Sequence, residues 1–138
     1  MPAGVSACFF TRKTRTMGGS SLKVNSVSSI DGVVITPPVN DDILEGVTRR
    51  AILDLAAMEG IPTEVRSIDR SELYVCDEVF LCGTGVQVAP VTEIDHRTVG
   101  DGAVGPVARR IRDRYFDAVR GKLPEYRHWL TPVAMKKK

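Results

Sequence analysis

The sequence predicts an α/β fold, a β-rich central layer flanked by helices over about residues 47–59 and 106–120. Three observations lead there. Val47, Ala51, Ile52, Leu55 and Met58 recur at helical spacing, as do Val107, Ile111, Tyr115, Ala118 and Val119 further on. Between these helices, Glu78 to Cys82 and Val86 to Val91 are short apolar runs separated by Gly83-Thr84-Gly85, the pattern of two buried strands joined by an open turn. A chain of 138 residues with 43% hydrophobic and 26% charged side chains has the length and composition of one globular core.

Composition also sets limits on function. A net charge of +2 gives no electrostatic footprint for nucleic acid, and no apolar run is long enough to span a bilayer as a helix. Cys8, Cys76 and Cys82 are odd in number and form no metal-ligand spacing, which fits reduced thiols in a cytosol-like compartment. Residues 1–30 contain no Asp or Glu but carry Arg12, Lys13, Arg15 and Lys23 among many Ser and Thr. That bias is shared with mitochondrial and plastid transit peptides; a poorly ordered or misassigned start of the reading frame is the preferred reading.

From Asp31 the elements follow in order. Asp31-Gly32 is a turn, Val33-Val34-Ile35 a short strand, and Thr36-Pro37-Pro38 its stop. A loop from Val39 to Asp42 leads to the first helix, which opens after Gly46. Gly60 stands where a left-handed C-terminal cap belongs, with Ile61 to pack back and Pro62 to forbid continuation. Glu64 to Ile68 alternates like a half-exposed strand. Asp69, with Glu72 three residues on, has a capping-box pattern for a short helical turn. Glu93 to Val99 reads as a strand and turn leading to Gly100-Asp101-Gly102. The last helix has Gly105 before it and Pro106 at its first position, and Gly121 ends it. Arg109, Arg110, Arg112 and Arg114 are read as a solvated helix face, since Asp113 and Asp117 interrupt them and no aromatic residues are interleaved. Pro124 to Trp129 is an aromatic segment expected to pack over the core, and residues 134–138 form a tail.

Two stretches carry chemistry. At the first helix, Gly46 permits close backbone approach, the amides of Val47 and Thr48 are unpaired first-turn donors, and the helix dipole points the same way. The turn suits a phosphate or carboxylate, although a plain helix start has the same residues. In the second, the glycines flanking Thr84 allow an anion-binding nest of backbone amides, although Gly-Thr-Gly is also an ordinary hairpin turn.

Taken together, Leu44-Glu45-Gly46-Val47-Thr48-Arg49, Asp69 to Tyr74, Asp77 to Phe80, Gly83-Thr84-Gly85 through Ala89-Pro90-Val91, Gly105-Pro106-Val107 and Tyr126 to Leu130 occur in an order that resembles the C-terminal part of branched-chain amino-acid aminotransferases. These are fold-type IV, class IV enzymes dependent on pyridoxal 5'-phosphate. The resemblance spans residues 31–133. It implies that Val47, Thr48 and Thr84 hold the cofactor phosphate and that Leu44 packs against the pyridine ring. The amides around Thr84, Gly85 and Val86 would receive the substrate carboxylate, with Val86 larger than the small residue common there. It implies amino-acid and 2-oxo-acid substrates, a homo-oligomer in the full-length family, and branched-chain amino-acid metabolism; the expected location is the cytoplasm, or a mitochondrion or plastid if residues 1–30 are a transit peptide. The family's Schiff-base lysine belongs to a segment upstream of this region, so no catalytic residue is assigned here and the isolated chain is expected to be inactive. The alternative is a non-catalytic standalone domain binding a phosphate-bearing ligand or a partner chain.

Overall fold

In a computed structural model, residues 7–12, 29–30, 32–41 and 45–134 are described. Strands β1 (Ala7–Arg12), β2 (Ser29–Ile30) and β3 (Val33–Thr36) are followed by helix α1 (Val47–Met58) and strand β4 (Thr63–Val65). The short helix α2 (Arg70–Leu73) precedes β5 (Cys76–Gly83) and β6 (Gln87–Val91). A small hairpin of β7 (Glu93–Ile94) and β8 (Arg97–Thr98), helix α3 (Pro106–Val119) and a 3-10 helix (Pro124–Trp129) complete the order.

The main sheet runs β2-β3-β1-β5-β6, with β4 also on β3. β1 is antiparallel to both β3 and β5, so those two strands run in the same direction and finish at the same edge. β3 and β4 are parallel neighbours joined through α1, a βαβ unit. The sequence reading set no element before Val33, yet the structure places β1 between β3 and β5. The polar texture around Ala7 to Arg12 hides this, because periodicity cannot show which distant strands a short segment pairs with.

Alternation assigns the two faces of the sheet. Val34, Phe80, Cys82 and Val88 point to the side covered by Ile52, Ala56, Ala108 and Ile111 of α1 and α3. Ile35 and Val79 point the other way, toward Ile68, Leu73, Cys76 and Val99. The 3-10 helix packs Tyr126 against Leu55 and Ala118, as the aromatic ending led one to expect. Both long helices end in Schellman motifs. Ile61 N–H donates to the Ala56 carbonyl at 2.8 Å and Gly60 N–H to Ala57 at 3.1 Å, with Gly60 at φ 67°. Lys122 and Gly121 repeat this pattern on Asp117 and Ala118, each at 3.0 Å.

The buried stripe of α1 differs from the one read in the sequence. Thr48, Arg49, Ile52, Leu55 and Ala56 are its buried residues, while Val47 is 88% and Met58 64% exposed. Choosing residues by hydrophobicity turned the helix by part of a step, because two polar residues occupy the inward face of its first turn. The arginine face of α3 lies at the surface, as read, with Arg110 and Arg114 56% and 43% exposed; both also pair with Glu59, at 2.7 and 2.6 Å, and tie α3 to the end of α1.

Candidate phosphate-binding edge

β3 leads through residues 37–46 into the start of α1, and β5 leads into the Thr84 turn. Since both strands finish at one edge, the two chemical candidates of the sequence lie at the carboxyl ends of strands running the same way. In open α/β sheets this is where ligands bind.

The helix start is built for close approach. Gly46 is the N-cap at φ 64°, ψ 121°, a conformation open to glycine and strained for any other residue. The first helical hydrogen bond is from Arg50 N–H to the Gly46 carbonyl at 3.1 Å. The amides of Val47, Thr48 and Arg49 therefore have no helical acceptor. Among the described residues no side chain caps them, and the first turn has no acidic residue.

The other helices differ. At α2, Asp69 N–H donates to Glu72 Oε1 at 3.2 Å, as the capping-box pattern predicts. At α3, the carboxylate of Glu78 on β5 accepts from the Val107 and Ala108 amides at 3.1 and 2.7 Å. A Cβ on Gly105 would lie 1.9 Å from Glu78 Cδ, so the glycine makes room for that carboxylate. Burial raises the Glu78 pKa, against the lowering effect of the two amide donors.

Arg49 is the buried cation of the edge. Its Nε donates to Thr36 Oγ1 at 2.9 Å and its Nη2 to the Pro37 carbonyl at 2.8 Å, joining the first turn of α1 to the end of β3. Burial lowers its pKa, while Cys82 and Glu45 act to raise it. The sequence reading gave Arg49 and Glu78 no role of their own. A signal existed for each: Arg49, Ile52 and Ala56 share one helical face, and Glu78, Phe80 and Cys82 share one strand face.

Thr48 is buried, whereas Val47, Thr84, Gly85 and Val86 are exposed. Nothing lies within 4 Å of a Cβ built on Gly85, so the turn is open there. Gln87, which follows it, has φ 58°, unusual outside glycine. Leu44 lies outside the described residues. Beside the first turn of α1 is a half-open cavity of about 320 Å³, lined by Val47, Thr48 and Ala51 with Tyr115, Val119 and Trp129. Its lining comes from α1, α3 and the 3-10 helix and includes no residue of the Thr84 turn. Among the described residues no group of His, Cys, Asp and Glu could hold a metal, and no helix is long and apolar enough to cross a membrane.

Comparison with known proteins bears on what such an edge belongs to. A curated probable branched-chain-amino-acid aminotransferase of Aquifex aeolicus is 51% identical over 104 residues, which is 75% of this chain and 33% of that protein. The branched-chain-amino-acid aminotransferase of Pseudomonas aeruginosa is 43% identical over 103 residues, again 33% of its length. The chain thus spans about a third of the curated relatives it matches. Among solved structures, the branched-chain amino acid aminotransferase of Thermobaculum terrenum in its PLP form superposes with a TM-score of 0.78 at 39% identity, covering 94% of this chain and 37% of that one. The branched-chain aminotransferase of the archaeon Thermoproteus uzoniensis, solved with norvaline, gives a TM-score of 0.75 at 36% identity, covering 91% and 35%. The model of the family described as amino-transferase class IV matches residues 4–94, beginning well before Asp31 and covering more than half of the chain. On that match and these likenesses, the chain belongs to the class IV aminotransferases.

Proposed function

We propose that this chain is the cofactor-phosphate-binding part of a branched-chain amino-acid aminotransferase, the enzyme that moves an amino group between leucine, isoleucine or valine and 2-oxoglutarate. One observation carries the reading: α1 presents uncapped amides behind a glycine N-cap at the sheet edge where β5 delivers Thr84. The relatives' names support the substrate class, and the PLP form of the Thermobaculum terrenum structure supports the cofactor.

The residues fit a phosphate. The Val47 and Thr48 amides supply directed donors and the positive end of the helix dipole, and Thr84 adds a hydroxyl. Pyridoxal 5'-phosphate, when bound, supplies a conjugated ring that draws electrons from the substrate carbon bearing the amino group. By the family resemblance, Leu44 would pack against that ring. The Gly85 and Val86 amides receive the substrate carboxylate, and Val86 narrows the space beside it. None of the described residues is assigned the proton transfer, which in the family belongs to its Schiff-base lysine. The full enzyme works as a homo-oligomer in the cytoplasm on small amino and oxo acids.

The test compares pyridoxine 5'-phosphate with pyridoxine, alcohols that do not form imines with surface lysines. The chain is expected to prefer the phosphate ester, and Thr84→Val to lose about 1.5–3 kcal/mol of that preference, as for a hydrogen bond to a charged partner. Equal binding of the two compounds would refute the phosphate site. With pyridoxal 5'-phosphate, leucine and 2-oxoglutarate, the 138-residue chain alone is expected to show no turnover. Rates of about 1–1000 per second would assign the proton transfer to a lysine of this chain.

A further inference from the structure

Arg49 is only 6% exposed, yet its hydrogen bonds go to neutral acceptors, the Thr36 hydroxyl and the Pro37 carbonyl. None of the ion pairs among the described residues includes it. Taking a guanidinium out of water without a counter-ion is costly, and a neutral side chain of similar volume would avoid that cost. The position is therefore poorly explained by stability alone. It belongs to the same helical turn as the uncapped Val47 and Thr48 amides. Its anchor, Thr36, is fully buried at the end of β3, and Cys82, two residues before Thr84, is near enough to act on its charge.

We propose that Arg49 is a positioning residue for the phosphate-binding edge, pinning the first turn of α1 to the end of β3 and keeping a buried positive charge in the turn that receives the anion. The inference rests on the phosphate reading above and adds a residue to it. Arg49 acts without touching the phosphate. Its donors face β3, its bonds fix where the amides point, and its charge is weakly screened because water is excluded. Glu45 acts on this charge without forming an ion pair with it, and an arriving dianion adds a second negative charge at the same turn.

The experiment measures the ratio of pyridoxine to pyridoxine 5'-phosphate dissociation constants for the wild type, Arg49→Met and Thr36→Val, with thermal unfolding followed in parallel. Arg49→Met is expected to lower the ratio at least about tenfold with little change in the weak binding of pyridoxine itself. Thr36→Val keeps the charge but frees the guanidinium, and its ratio is expected to fall between those of wild type and Arg49→Met. A lower melting temperature with an unchanged ratio would reduce Arg49 to a structural role and overturn the proposal while leaving the phosphate site standing. A wild-type ratio near one would instead overturn the phosphate reading and this inference with it. If Arg49→Met fails to fold, Thr36→Val decides: an unchanged ratio overturns the proposal and a lowered one supports it.

Discussion

Glu78 is an acid that folding makes weaker. Burial raises its pKa, and the two amide donors at the start of α3 reverse only part of that shift. A carboxyl with a raised folded-state pKa favours the fold most below its unfolded value, near 4.5, and that contribution is lost as pH rises through the raised value. The stability of the wild type relative to Glu78→Gln, measured by urea unfolding, should therefore increase as pH falls from 7 toward 4.5. A flat or shrinking difference would contradict this account. Gly105→Ala should cost about 1–3 kcal/mol, because its Cβ overlaps the carboxyl carbon and forces it off the helix end; an unchanged urea midpoint would count against that contact. At this scale the sequence was readable where backbone geometry dictates the residue, as at Gly46, Gly60 and Pro106. It was silent where a polar side chain faces inward. Thr36, Arg49 and Glu78 break the apolar pattern because each meets a partner 12 to 30 residues away, and local spacing does not contain such a partner.

At the level of elements, the two Schellman ends invite a paired test. Gly60 and Gly121 both have positive φ, at 67° and 74°. A Cβ on Gly60 meets open space, whereas one on Gly121 lies 3.2 Å from Leu130 Cδ1. Gly60→Ala should cost about 1–2 kcal/mol, the usual cost of a left-handed alanine. Gly121→Ala should cost at least as much, since Leu130 must also give way. Urea titrations of the two variants check both magnitude and order, and a larger loss at Gly60 would contradict the packing described. The helices, the β5–β6 pair and the capping box of α2 were legible because each is set by residues a few positions apart. The parallel β3–β4 pairing and the insertion of β1 between β3 and β5 were not, because strand order depends on contacts across the chain. The half-exposed strand expected over Glu64 to Ile68 is instead a shorter strand, Thr63–Val65, exposed at all three residues, because Arg66 turns to pair with Glu72 at 2.9 Å and leads the chain into α2.

For the molecule as a whole, one edge of the sheet carries the functional argument. β3 and β5, with β1 between them, end at the same edge, one feeding the α1 turn and the other the Thr84 turn, and Arg49 bonds the first of these to the end of β3. Val47 remains 88% exposed at that edge, an apolar side chain left open in a chain whose curated relatives are more than twice as long. The central claim is that Val47, Thr48 and Thr84 serve one anion. It is tested most directly by following backbone amide shifts of the labelled chain during titration with inorganic phosphate. The Val47, Thr48 and Thr84 amides should move together and saturate with a single dissociation constant, while the amides of Val107 and Ala108, already held by Glu78, stay in place. Separate dissociation constants for the Val47 and Thr84 turns, or shifts confined to other surfaces, would contradict it.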